Sequence, residues 1–197
     1  MRILQRTLAL VLLCASPLLA QGNPFGRDGV SATIGAGVGS AGVSCDGCES
    51  DREPAPSVML RVGGAYAPDL IFGGEINAWA KSEVTDATGD EVRVRIATLN
   101  LVAQWYPQLD GGFFVDGGIG VGTVRTQLVA GDLSGTITST TTAVGYQVGA
   151  GWDFRVAPNV SVTPFATFFG TAAGKVRTSD EKLDGNVGVV GVGITLH

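Results

Sequence analysis

The sequence predicts an all-β protein: an eight-stranded antiparallel up-and-down transmembrane β-barrel. Three observations predict it. Apolar residues alternate with small or polar ones along eight successive segments, the period-two signature of strands with unlike faces. Short turns alternate with longer polar stretches between those segments. The face opposite the apolar one consists mainly of Gly, Thr, Asn and Gln, where a water-facing exterior would carry Lys and Glu at many positions.

Composition agrees. The chain has 197 residues, 30 of them Gly, against an ordinary Gly share of about 7%. Charged residues are 16% and hydrophobic residues 45%, which excludes a disordered chain, since such chains are apolar-poor and charge-rich. The net charge of −5 argues against nucleic acid as a partner, because phosphate binding needs a basic patch.

The first twenty residues read as a secretory signal peptide. Arg2 and Arg6 form a positive start, Leu8-Ala-Leu-Val-Leu-Leu-Cys-Ala15 an apolar stretch too short to span a membrane as a helix, and Ser16-Pro-Leu-Leu-Ala20 a cleavage region ending on a small residue. Leu13 stands before Cys14 where a lipoprotein signal needs a small residue. The expected mature domain is 21–197. Removing 20 of 197 residues leaves 177, and loss of Arg2 and Arg6 takes the charge from −5 to −7.

The strands come in this order. Near Val30 to Gly42, Val30, Ala32, Ile34, Ala36 and Val38 share one face. Near Ser57 to Ala67, Val58, Leu60, Val62 and Tyr66 oppose Met59, Arg61 and Gly63. Near Leu70 to Ser82, Phe72, Ile76, Ala78 and Ala80 oppose Glu75, Asn77, Trp79 and Lys81. Near Val92 to Tyr106, Leu99, Leu101, Ala103 and Trp105 oppose Thr98, Asn100, Val102 and Gln104. Here Arg93 and Arg95 fall on the apolar side, which requires either a bulge or an end that lies beyond the hydrocarbon.

Near Gly112 to Arg125, Phe113, Val115, Ile119 and Val121 oppose Phe114, Asp116 and a run of glycines. Near Thr138 to Phe154, Val144, Tyr146, Val148, Ala150, Trp152 and Phe154 oppose Gln147, Asp153 and glycines. Near Val160 to Thr171, Val162, Ala166 and Phe168 oppose Ser161, Thr163, Phe165, Thr167 and Phe169. Pro164 lacks an N–H and predicts either a bulge or a locally broken ladder in that strand. The last strand, near Val187 to His197, sets Val190, Val192, Ile194 and Leu196 against Gly191, Gly193 and Thr195.

The short turns are Pro68-Asp69, Pro107 to Gly111 and Arg155 to Asn159, and the long stretches are Val43 to Pro56, Glu83 to Glu91, Thr126 to Ile137 and Gly170 to Asn186. Short turns on one side and long loops on the other fit an outer-membrane barrel. An even strand number puts both ends of the barrel on the short-turn, periplasmic side. Tyr66, Phe72, Trp105, Phe113, Trp152 and Phe154 flank the short turns on the apolar face, the expected aromatic girdle of that interface. The opposite girdle is weak, with Phe168 its best candidate.

The glycine-rich face becomes the lumen. Eight strands leave an interior that side chains can fill, so glycines on some strands make room for Met59, Arg61, Trp79, Phe114, Phe165 and Phe169 on others, and the lumen is closed. Its charges are Arg61, Glu75, Lys81, Asp116 and Asp153, expected to pair as an internal network because buried charges need partners.

This pattern resembles the small eight-stranded outer-membrane β-barrel family, the class of OmpX and the OmpA membrane domain. The resemblance covers about Val30 to His197 and rests on architecture, on Leu101-Val-Ala-Gln-Trp-Tyr-Pro107 and on the glycine-rich last strand. It implies a bacterial outer-membrane location, lipid and lipopolysaccharide as surroundings, contact with the assembly machinery and a monomer. The family usually ends on an aromatic residue that assists assembly; this chain ends Thr195-Leu196-His197, with Leu196 keeping the outward phase.

Candidate chemistry is sparse. Cys45-Asp-Gly-Cys48 reads as a local disulfide in a secreted loop, with free thiols and a metal pair as the alternatives; zinc would need further Cys or His ligands. Gly118 to Gly122 opens no helix, so it presents no phosphate site. The mature chain's one His is His197, expected to be solvated, and no nucleophile–base–orienter set can be assembled. The expected function is structural or surface interaction through the loops, without catalysis, metal or cofactor, the loop ligand being unknown. The alternative is a soluble periplasmic lipocalin-like barrel binding a small apolar ligand, which would turn the apolar face inward.

Overall fold

The computed structural model describes residues 27, 29–45, 48–49, 52–84, 91–129, 136–176 and 183–197. It is a closed antiparallel barrel of eight long strands. These are β1 (Val30–Cys45), β2 (Glu53–Ala67), β3 (Leu70–Val84), β4 (Glu91–Trp105), β5 (Phe113–Val129), β6 (Thr136–Trp152), β7 (Val160–Val176) and β8 (Leu183–Leu196). Each pairs with its chain neighbours, and β8 closes on β1 through a continuous register from Ala32–Leu196 to Cys45–Leu183. The described residues contain no helix. Both barrel ends, Val30 and Leu196, lie at the end of the short turns.

The alternation in the sequence is the alternation of the wall. Ile34 is 67% exposed and Leu101 77%, whereas Arg61, Glu75 and Asp116 are buried inside. That inverts a soluble barrel: the large aliphatics point out and the ions point in. The lipocalin-like alternative needs the opposite and is not supported.

Strand lengths differ from the sequence reading. β1 runs to Cys45, β5 to Val129 and β7 to Val176, into stretches expected to be loop. The partner of the β5 extension is rich in Thr and Ser: Thr136 to Thr140, at the start of β6, pair with Arg125 to Val129. β-Branched threonines favour a strand without supplying the apolar alternation by which strands are recognised. On the opposite side the turn expected over Arg155 to Asn159 narrows to Pro158-Asn159, because Phe154–Ala157 continues the line of β6.

Pro164 breaks the ladder as expected. The β6–β7 register ends at Gly151–Phe165 and resumes at Phe154–Val162. On its other edge β6 keeps its pairing to β5: beyond Phe113–Trp152 the Asp153 N–H donates to Gly112 O at 2.9 Å. The Arg93–Arg95 stretch resolves the other way: pairing on both sides of β4 is unbroken from Trp105 to Glu91. There is no bulge, so these arginines ride on an end of the strand that outruns the apolar band. Cys45 and Cys48 are backbone partners across a two-residue hairpin, Cys48–Glu49 folding back on β1; their side chains lie outside the described residues, as does the signal region.

Outward charge should therefore be costly at mid-strand. Ile119, 65% exposed, replaced by Arg should lose about 2–4 kcal/mol of stability in a bilayer, with Ile119→Leu near neutral, measured by urea unfolding in lipid vesicles. Gly120→Ser, which inward phase alone would make mild, is not a benign control: a Cβ on Gly120 would collide with the Leu99 carbonyl oxygen and lie 2.8 Å from Asn100 Cα.

Candidate functional site: a filled lumen

Three layers fill the lumen. Towards the long-loop end, Met59, Trp79, Ile96, Val124, Phe165, Phe169, Val187 and Val189 form an apolar plug. At the turn end, Ile71, Tyr106 and Phe114 form a floor. A polar layer lies between them. Glycines set the clearances: a Cβ on Gly35 would stand 2.7 Å from Phe165 Cε1, and one on Gly151 2.5 Å from Phe114 Cζ. The rings occupy the space that the glycines leave.

Arg61 organises the polar layer. Its Nε donates to Glu75 Oε2, and its Nη2 donates to Asp116 Oδ2 at 2.9 Å. Asn77 Nδ2 donates to Glu75 Oε1 at 2.7 Å and to Gln147 Oε1 at 2.9 Å, and Gln147 Nε2 donates to Asp116 Oδ1 at 3.1 Å. Four strands thus converge on one guanidinium and two carboxylates. The Arg61 guanidinium also lies 5.5 Å from the Phe114 ring centroid.

The other two expected members stand elsewhere. Asp153 belongs to a second cluster at the floor, accepting from Tyr106 Oη at 2.8 Å and Thr163 Oγ1 at 2.6 Å. Lys81 belongs to the rim near the long loops, paired with Glu53 and, at 2.6 Å, with Glu83. Alternation assigns a face but not a height, so five inward charges split into three groups.

Sequence reasoning places Phe114 and Asp153 inward but misses Arg27 and Tyr106. Arg27 is buried, its guanidinium 3.5 Å above the Tyr106 ring, and it donates to the carbonyls of Leu109 at 3.3 Å and Gly111. Tyr106 continues the even, inward phase of β4, the signal that could have found it. His197 corrects an expectation: it is half-buried rather than solvated, and its Nε2 lies 2.9 Å from Ser161 Oγ. Burial holds its imidazole below the ordinary pKa. Ser161 is fully buried, so this hydrogen bond ties the last residue to the floor.

On the outer wall the six aromatics stand at the turn end. Tyr66 meets Phe72 edge to face at 5.8 Å; Trp152 lies 6.0 Å from Phe113 and 5.9 Å from Phe154; Trp105 Nε1 donates to Asp69 Oδ2 at 3.3 Å. Phe168 packs against Tyr146 at 6.1 Å.

A model of the outer membrane protein beta-barrel domain matches residues 7–195. The chain belongs to that family. Its location is the bacterial outer membrane, and its apolar wall is a lipid-facing one. Solved outer-membrane barrels share the fold. The attachment invasion locus protein Ail of Yersinia pestis, in complex with the heparin analogue sucrose octasulfate, has a TM-score of 0.63 at 12% identity, over 86% of this chain and 99% of that one. Neisserial surface protein A has a TM-score of 0.53 at 18% identity, over 86% and 99%. No curated protein matches the sequence.

The layer makes a stability prediction. Arg61→Met should destabilise this outer-membrane barrel by about 3–5 kcal/mol, because it strands two buried carboxylates. Adding Glu75→Gln and Asp116→Asn should restore most of the loss. Urea unfolding of the single and triple variants in the same vesicles checks both.

Proposed function

We propose that the protein is a monomeric, closed outer-membrane barrel that acts through its long loops, touching other surfaces or ligands, and that it carries out no catalysis. The filled lumen supports this reading most directly: an apolar plug, an ionic layer and a floor capped by Arg27 leave the loop end as the part free to meet other molecules. The Ser161–His197 contact has its hydroxyl buried in the floor, which supports a structural role for it. The name of Ail, an attachment protein with this fold, is consistent with surface contact.

Residues 1–20 act as a signal removed after Ala20. The assembly machinery inserts the mature chain, with Leu196 in the outward position of its final strand. The six turn-side aromatics serve as the interfacial girdle, since amphipathic rings favour that boundary. Cys45 and Cys48 form a disulfide that staples one hairpin. Its ring is short and constrains little unfolded-chain entropy.

Purified protein in planar bilayers should give no steady conductance, and a large selective current would overturn the closed lumen. Replacing residues 85–90 and 130–135 with Gly-Ser segments of equal length should keep heat-modifiable gel migration while abolishing adhesion of expressing cells; unchanged adhesion would overturn the loop role. Non-reduced mass spectrometry should find Cys45 joined to Cys48, and the double Ser variant should still assemble.

A further inference from the structure

The outer wall carries one unexplained pair. Arg95 on β4 and Arg125 on β5 are direct cross-strand partners, and both side chains are exposed on the outward face. Like charges placed directly opposite destabilise a sheet. Among the described residues neither arginine makes a hydrogen bond or an ion pair. Their outward neighbours across the sheet are Ala80 and Thr140. The acidic group closest in sequence, Glu91, is taken by Arg93, which donates to it at 2.7 and 2.6 Å.

Height gives the pair a meaning. The same register runs from Trp105–Val115 in the turn-side girdle to Arg95–Arg125. Ten residues at about 3.3 Å each, on strands tilted about 40°, rise about 25 Å, which is the height of a barrel's apolar band. The outward residues between are Ala97, Leu99, Leu101, Ala103, Gly117, Ile119, Val121 and Thr123, none of them charged. The two guanidiniums therefore emerge where the hydrocarbon ends and the headgroups of the outer leaflet begin.

We propose that Arg95 and Arg125 form a binding site for a lipid phosphate of the outer leaflet, the phosphorylated headgroup of lipopolysaccharide. A guanidinium offers a planar fork of donors that matches phosphate oxygens. Two forks on adjacent strands can share one phosphate, which turns a repulsive pair into a bridged one. The inference rests on the outer-membrane location and is independent of what the loops do.

The test uses the full chain refolded in maltoside micelles, with EDTA present so that divalent cations do not bridge phosphates. The readout is the temperature of the heat-modifiable gel shift. Without lipid, Arg95→Gln/Arg125→Gln should unfold at the wild-type temperature or above it, since it removes the opposed charges. Purified lipopolysaccharide should raise the wild-type temperature, and the double variant should need about tenfold more for the same shift, because each charged hydrogen bond to phosphate is lost. Arg95→Lys/Arg125→Lys should recover part of the response. Dephosphorylated lipopolysaccharide, and inorganic phosphate at equal phosphate concentration, should give no shift in wild type. An undiminished response in the Gln variant overturns the site. So does full protection by the dephosphorylated lipid, and protection by inorganic phosphate overturns the lipid as the ligand. If the Gln variant does not refold, the Lys variant and the dephosphorylated lipid still decide.

Discussion

Hydrocarbon offers no hydrogen bonds, so every backbone N–H and C=O that crosses it must find a partner inside the protein. A sheet meets that demand only by closing on itself. Here the closure is the β1–β8 seam, paired without interruption from Ala32–Leu196 to Cys45–Leu183. Closure in turn dictates the interior. Eight tilted strands enclose a narrow space, and the pleat sends alternate side chains into it. The interruption opposite Pro164 lies at the short-turn end of the wall, where β6 keeps its pairing to β5 through Phe113–Trp152 and the Asp153 N–H bond to Gly112 O. Beside it the Asp153 carboxylate accepts from Tyr106 and Thr163.

A space this narrow must be shared between large and small residues. Rings from β3, β5 and β7 occupy what glycines on β1, β6 and β8 vacate, as with Gly39 beside Trp79 and Gly191 beside Phe165. The high glycine content is thus a packing property of one wall meeting another across the lumen. The cost is that several of these positions cannot accept even a methyl group, and the reason is often backbone: a Cβ on Gly37 or Gly73 would run into the carbonyl of the neighbouring strand.

Much of this is legible from alternation. Strand number, phase and the side on which each aromatic lies are one-dimensional properties, and the eight apolar faces read directly. Height is not one-dimensional. Lys81 and Glu75 share a face of β3, yet Lys81 stands at the rim with Glu53 while Glu75 is sealed in the middle. Contacts between strands distant in sequence are equally invisible, so the sequence marks Asn77 and Gln147 as inward residues and not as the amides that complete the Arg61 layer. Tyr106 is obscured by the turn after it, and Arg27 by lying ahead of the first strand. His197 departs from expectation because a last residue is ordinarily solvated; here its N–H donates to Asn159 O at 3.0 Å and its ring reaches Ser161.

The ionic layer has a consequence that stability alone does not capture. A buried ion pair and an apolar filling of the same volume often hold a fold about equally well, so the lumen has no energetic need for Arg61, Glu75 and Asp116. Phase is another matter. Slipping a strand by one residue sends its whole inner face outward. With an apolar lumen, such a slip would exchange one lipid-compatible surface for another at little cost. With the ionic layer in place, a slipped β2 would thrust Arg61 towards lipid, at about 2–4 kcal/mol near the midplane, and would strand two carboxylates inside. The charges sit on β2, β3 and β5, and the amides that complete the layer add β6. One cluster thereby ties the phase of half the barrel to a single guanidinium, and it does so in the part of the wall where the outer face, being uniformly apolar, supplies no correction of its own.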